Sequence, residues 1–470
     1  MGDKKIKIKE LVNLINGHSF KPEDRELSGK KIIRIQNLNK PSASFNLTNK
    51  KVPKKYHVTD GDILIAWSGT LGVYEWEGGD ALLNQHIFKV DFRSDKIDKT
   101  YFKFVIEFAL KELTYKMRGV GLKHLKRPQL DNYKIELISI EEQEKIVAVL
   151  SRVQDLIQKR KQSVELLKTY KRNVFLNMFL QNPESKNWQE KTIGEVIIST
   201  TYGTPKKASQ ENKGIPILRM NNLTYNGEIH LKNLKWIEMD AAEMEKFKIV
   251  NGDVLFNRTN SKKLVGKTAV WNHGEGYTYA GYLVRVVLNL NMINSYYFSE
   301  YLNSDFGKKL LFNKARPSGN MANFSPSLLK KQKILIAPIE LQNQFAQELK
   351  TVDAQKKLFL NSKKLAEELF QVLIYETFRA DKKEEKSELI DNDILIKNLF
   401  EVIEQSDFQS FEQYNIEVQK LRKVLNKTKE KKSKDKTFDK GIVQILNDKK
   451  VQLQLNKKYI NESPDETTEA

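Results

Sequence analysis

Two kinds of apolar pattern alternate along the chain. Short, largely apolar runs such as Ile32-Ile33, Ile63-Leu64-Ile65 and Leu283 to Leu288, separated by Gly, Asn and Asp turns, predict a β-rich segment twice over. Each is followed by a helix, near Thr100 to Met117 and near Ser295 to Leu311, then a Gly-containing loop and a short strand ending at Ile140 or Ile339. A stretch with neither Gly nor Pro closes each unit, from Gln129 to Asn182 and from Ile339 to Lys440. In the first stretch Ile146, Leu150, Val153, Ile157, Val164, Leu167, Val174 and Met178 follow alternating spacings of 4 and 3, with Arg160 and Lys171 as the exceptions. That is a coiled-coil seam. The second starts in the same register with Phe345, Leu349 and Val352, then slips phase to Leu358, Leu365, Leu369 and Val372, a weaker signal.

The two β-rich segments are copies of each other. RIQNL at Arg34 to Leu38 returns as RMNNL at Arg219 to Leu223, and DGDILI at Asp60 to Ile65 as NGDVLF at Asn251 to Phe256. Tyr101-Phe102 returns as Tyr297-Phe298, and KIELISIEEQ at Lys134 to Gln143 as KILIAPIELQ at Lys333 to Gln342. The order is kept and the offset only grows, which indicates a duplication. Length change collects in connecting loops, where binding residues usually sit on a rigid scaffold. Two copies with different loops suggest two related sites that read different targets.

Charge says what kind of target. Of the net +20, residues 381–470 contribute −1, with 18 Lys+Arg against 19 Asp+Glu. Residues 1–380 therefore hold 62 basic and 41 acidic residues, net +21. A basic folded body points to a polyanion, because phosphate contacts release condensed counterions. Cysteine is absent, which removes disulfides, thiolate metal sites and cysteine nucleophiles together. No apolar run nears the ~18 residues of a membrane span. MGDKKIKIKE is charged where a signal peptide is apolar, so a cytoplasmic chain is expected. A helix of about 36 residues spans roughly 54 Å, longer than the ~34–36 Å of one DNA turn. Two half-sites with an unread gap are the target that such a spacer suits.

The duplicated order resembles the specificity (S) subunit of type I restriction–modification systems, over about residues 5–380. Each half has a leading Gly segment (NGHSFKP at Asn16 to Pro22, YGTPKK at Tyr202 to Lys207) and a GD strand (Gly61-Asp62, Gly252-Asp253). The Gly loop and an I-E-x-Q helix start then follow (Ile140 to Gln143, Ile339 to Gln342), and Asn187-Trp188 marks the junction. Copy one departs only in having Ser139 where copy two has Pro338. The resemblance implies an α+β chain: two tandem target recognition domains separated by a pair of long antiparallel coiled-coil helices, plus a helical C-terminal extension. The expected bounds are 1–140 and 183–339 for the domains, 141–182 and 340–380 for the helices, and 381–470 for the extension. It implies double-stranded DNA and two methylation subunits as partners, with motor-nuclease subunits where a nuclease exists. Those partners would bring S-adenosylmethionine and methylate adenine; this chain would hold no cofactor, metal or catalytic residue.

The residues agree on the last point. Neither an Asn/Asp-Pro-Pro-Tyr/Phe tetrapeptide nor an F-x-G-x-G loop of an adenine methyltransferase is present. Gly266-Lys267-Thr268 resembles the end of a P-loop, but Ser261 stands where the pattern needs Gly, and Leu264 to Trp271 reads as strand. His18, His57, His86, His124, His230 and His273 lack metal-ligand spacing. Candidate DNA contacts are side chains suited to phosphates and base edges on flexible backbone. In copy one these are Ser68, Thr70, Asn84, Gln85 and His86, with Arg118, Lys123 and His124 of the Gly loop. In copy two they are Lys206, Lys207, Arg258, Asn260, Lys262 and Lys263, with Arg316, Asn320 and Asn323 of the Gly loop. For each, plain solvated surface is the competing reading. The near-neutral tail reads as helices near Asp391 to Gln405 and Ser410 to Leu425, then strand-like runs at Ile442 to Leu446 and Val451 to Leu455, ending in a polar segment that composition marks as disordered. A protein-docking module is expected there. Two rivals remain open: a nucleic-acid enzyme of unrecognised site, and a structural coiled-coil scaffold.

Overall fold

The computed structural model describes residues 4–40, 42–116 and 125–378. The helices and strands expected beyond 380, and Arg118, Lys123 and His124, lie outside the described residues. Packing divides the chain into two units. Unit 1 takes residues up to 152 with those from 369 on, and unit 2 takes Val153–Glu368.

Each unit is built on a four-stranded antiparallel sheet of the same order. In unit 1 it runs Val12–Asn16, Ile87–Phe92, Ile63–Ala66, Gly72–Glu75; in unit 2, Ile197–Tyr202, Leu283–Leu288, Val254–Asn257, Thr268–Val270. A second small sheet centres on a parallel pair in both, Lys30–Ile33 with Ala81–Leu83 and Ile215–Leu218 with Thr278–Tyr279. The first strand of each copy returns to pair with the strand ahead of the long helix, Lys4↔Leu137 and Gln189↔Ile336 in register.

The repeated motifs prove to be hydrogen-bonding devices of this scaffold. Gly61 and Gly252 adopt φ +83° and +94°, a turn that L side chains resist. The Asp that follows caps the turn and pairs with a base on the neighbouring strand. Asp62 accepts from Thr59 N (2.9 Å) and Lys89 Nζ (2.8 Å); Asp253 accepts from Val250 N (3.0 Å) and lies 3.7 Å from Arg285. In R-x-x-N-L, Asn37 and Asn222 each accept from the backbone N of the Arg three residues before, at 3.1 and 2.9 Å. In I-E-x-Q the amide is wholly buried. Gln143 accepts from Asp98 N (2.8 Å) and donates to Lys96 O and Ile138 O; Gln342 accepts from Asn294 N (2.8 Å) and donates to Ala337 O (2.7 Å). The glutamine thereby ties the start of each long helix to the loop that opens the preceding helix. A further pair escaped the sequence comparison: Trp76 and Trp271 donate through Nε1 to Gly79 O and Gly274 O, at 2.6 and 2.7 Å.

The long helices run Ile140–Phe175 and Ile339–Phe378. Within unit 2 they are antiparallel: Tyr170 OH donates to Glu348 (2.6 Å), Arg160 Nε to Ser362 Oγ (3.1 Å), and Phe175 packs on Phe345. Both seam exceptions are accommodated. Arg160 is buried, its guanidinium 5.2 Å from the Phe359 ring centre. Lys171 sits 2.8 Å from Glu300; burial opposes its charge, and Glu300, together with Asp353 and Glu228, more than restores it, holding the ammonium above its ordinary pKa. Beyond Val164 the buried positions become Phe175 and Phe179 instead of Val174 and Met178. A helix of 3.6 residues per turn drifts about 20° per heptad against a 3.5 repeat, so the contact face moves on by one residue. In the second helix the apolar slip is not a packing slip. Ser362 and Ala366 continue the buried face while Leu358 and Leu365 are only half-buried. In unit 1 the end of the second helix packs on Lys99–Lys116, with Phe370 on Phe104 and Phe378 on Tyr101 and Phe108.

Three expectations need correction. The helix expected over 295–311 is two, Ser295–Asn303 and Asp305–Lys314, because Ser304 caps the second by accepting from Gly307 N (3.1 Å). Of Leu264 to Trp271, only Thr268–Val270 is strand. The short strands end at Leu137 and Ile336, and Ile140 and Ile339 are the first helical residues.

Candidate nucleic-acid interface

At one end of each four-stranded sheet, four backbone segments are clasped together. In unit 1, Gly17 N donates to Ile87 O (3.0 Å), His18 N to Leu83 O (2.9 Å), and Gln85 N back to His18 O (2.8 Å). Trp67 N donates to His86 O (3.2 Å), and Leu125, just after the Gly loop, donates to Trp67 O (3.0 Å). Unit 2 repeats every bond. Gly203 N donates to Leu283 O (3.1 Å), Thr204 N to Tyr279 O (2.9 Å), and Gly281 N to Thr204 O (2.9 Å). Arg258 N donates to Tyr282 O (3.0 Å), and Phe324 N to Arg258 O (2.8 Å). The approach requires glycine: a Cβ on Gly17 would lie 1.9 Å from Asn84 O, and one on Gly203 2.4 Å from Ala280 O.

The same frame presents different side chains. Unit 1 carries Asn16, His18, Trp67, Asn84, Gln85 and His86, where unit 2 carries Tyr202, Thr204, Arg258, Ala280, Gly281 and Tyr282. In unit 1 the indole of Trp67 donates to Asn16 Oδ1 (3.2 Å), stacks on Phe88 and leans on His86. His86 is held at φ +74°, a sparsely occupied left-handed conformation. The His18 ring packs against Phe20 and Tyr56. In unit 2 the Arg258 guanidinium lies 5.1 Å over the Tyr202 ring. Among the described residues, six side chains have a buried polar atom without a hydrogen-bond partner, and four of them are on these clasps: His18, Asn84, His86 and Arg258. Buried polar groups are normally satisfied, so this clustering singles out the clasps as the candidate binding surfaces.

The predicted residues divide accordingly. Asn84, Gln85, His86 and Arg258 are on the clasps. Ser68 follows Trp67 but is buried, and Thr70 is exposed beyond it. The Gly loop of copy two is a hairpin, Arg316–Ser318 with Met321–Asn323, and its second strand pairs with Thr259–Asn260, which brings it beside Arg258. Arg316 and Asn320 are exposed there. Two candidates are occupied by scaffold bonds: Asn260 donates to Asn257 Oδ1 (2.8 Å), and Asn323 accepts from Thr259 Oγ1 (2.6 Å). Lys206 is paired with Glu243, and Lys207 and Lys263 are exposed. Exposed Lys262 lies 4.7 Å over the Phe312 ring. Sequence reasoning missed Asn16, Thr204, Tyr202 and Tyr282 as members of the site; the shared Gly at 17 and 203 was the available signal. The P-loop resemblance also dissolves, since Lys267 Nζ donates to Met220 O and Leu223 O inside unit 2. Among the described residues no group of three His, Asp or Glu could hold a metal ion, and no helix is long and apolar enough to cross a membrane.

The family model for the type I restriction modification DNA specificity domain matches this chain twice, over residues 2–166 and 185–368. The chain belongs to that family. Similar specificity-family proteins include the type I restriction enzyme EcoBI specificity subunit of Escherichia coli, 23% identical over 53% of this chain and 59% of that one. Another is the putative MjaX specificity subunit of Methanocaldococcus jannaschii, 27% identical over 40% of this chain and 45% of that one. The chain thus spans about half the length of these curated relatives. A type I S subunit from M. genitalium, solved by crystallography, overlays 81% of this chain and 97% of its own at 14% identity and a TM-score of 0.48. The two matched segments each contain one clasp, so the duplication is a duplication of the specificity domain.

Proposed function

We propose that this chain is the DNA-reading subunit of a type I restriction–modification complex, in which each clasp reads one half of a split target. One observation carries the reading: a backbone frame reproduced bond for bond in two specificity domains, with different side chains presented on each. Identical scaffolds explain a common mode of docking, and unlike side chains explain two unlike half-sites. The net +21 on residues 1–380 supplies attraction to phosphates that is independent of sequence. The long helices are proposed to set the unread gap and to dock two methylation subunits, with motor-nuclease subunits joining where present. This chain contributes recognition and no catalytic group; S-adenosylmethionine belongs to the partners.

Exchange of residues 191–332 for the matching segment of a relative tests this. Coexpressed with the methylation subunit, the hybrid is expected to change one half-site of the methyladenine motif and leave the other half-site and the gap intact. A change in both half-sites together would refute the two-reader model.

A further inference from the structure

The clasp of unit 2 has a cation at its centre, and no described carboxylate answers it. Arg258 replaces Trp67 at the position whose backbone N and O are both fixed, by Tyr282 O and by Phe324 N. Its guanidinium is half-buried, with Nη1 3.4 Å from Gly281 O and Nε buried without a partner. No described carboxylate lies within ion-pair distance of it, whereas Arg93, Arg127, Arg172 and Arg285 each have one. The Tyr202 ring beneath it is 49% exposed, and Tyr282, whose carbonyl holds Arg258 N, is 47% exposed, so the clasp is open to solvent. A planar donor fork, pinned at its base and set over a ring, suits a planar acceptor pair.

Guanine offers such a pair in the major groove, N7 and O6, and an arginine fork meets both at once. A phosphate is the less apt partner, because exposed cations on long stems are available for it within a few residues of the clasp segments or on the paired hairpin: Lys207, Lys262, Lys263 and Arg316. Unit 1 has neither Arg nor Lys at the corresponding place; it offers the amide and imidazole groups of Asn16, Asn84, Gln85 and His86. We infer that Arg258 reads a guanine through N7 and O6 in the half-site of the second specificity domain, and that the first half-site has no such contact from Trp67. This inference rests on the DNA-reading function proposed above.

The test uses the full chain with its methylation subunit, comparing wild type, Arg258→Lys and Arg258→Gln. The readouts are the methyladenine motif, affinity for oligonucleotides carrying each single base change, and affinity at two salt concentrations, with thermal unfolding to establish that each variant is folded. Expected is a loss of about ten- to a hundredfold in discrimination at one guanine of one half-site, the other half-site and the gap being unchanged. Arg258→Lys, which keeps charge but not the fork, is expected to lose discrimination as well. Uniform weakening on all sequences, with a salt slope shallower by about 1, would make Arg258 a phosphate contact and overturn the inference. Unchanged discrimination in folded variants would overturn it too. If wild type itself shows no sequence preference, it is the DNA-reading function that fails.

Discussion

Replacing Gln342 with Leu removes the acceptor of Asn294 N and the donor to Ala337 O at a position with no solvent exposure. Leucine fills a similar volume, so the cost comes from the two polar groups left behind. Each buried group stranded in this way costs about 1–3 kcal/mol, which puts the loss on the order of 4 kcal/mol. For a unit of this size 1 kcal/mol moves the midpoint about 2–4 °C, so the unfolding temperature of unit 2 should fall by about 10 °C. Thermal unfolding of the purified chain, with Gln143→Leu as the copy-one counterpart, measures it. The methylated sequence should be unchanged, because the glutamine belongs to the scaffold and does not touch the clasp. A folded Gln342→Leu chain of normal stability, or one with an altered recognition motif, would refute the scaffold reading of I-E-x-Q.

Two further effects follow from cations in unit 2, buried Arg160 and half-buried Lys308. Arg160→Ala should cost about 1–3 kcal/mol by stranding Ser362 Oγ and removing the packing on Phe359, while Arg160→Met should recover most of it; urea unfolding midpoints separate the two. Burial, helped by the nearby charge of Lys267, pushes the Lys308 ammonium down to about 8. The unfolded chain then binds a proton that the folded one releases, so Lys308 makes stability rise between about pH 8 and the ordinary lysine value near 10.4. Lys308→Met should abolish that rise in urea unfolding followed from pH 7.5 to 10, and an unchanged slope would refute the assignment.

Much of the architecture was legible because it rests on local chemistry. Gly-Asp, R-x-x-N-L and I-E-x-Q are short, and each completes its bonds within a few residues or at one neighbouring strand or loop. They therefore survive duplication visibly. The clasps were legible only in part. His18 meets Asn84, and Thr204 meets Ala280, across parallel bridges between segments far apart in sequence. The residues that matter at those bridges differ between copies, so a search for self-similarity passes over them. Asn260 and Asn323 looked like readers by type, yet each is held by a scaffold partner that only the fold reveals. The phase of the second long helix misled for a different reason. Ser362 and Ala366 are small, and a seam of small residues carries no apolar signal.

Two independent readers on one chain would write their pattern into a genome, and the methyladenine map of a genome expressing this chain with its methylation subunit reads it. Modified adenines are expected in two short half-sites separated by a fixed unspecified gap. A continuous motif, or methylation without any motif, would contradict the two-reader model.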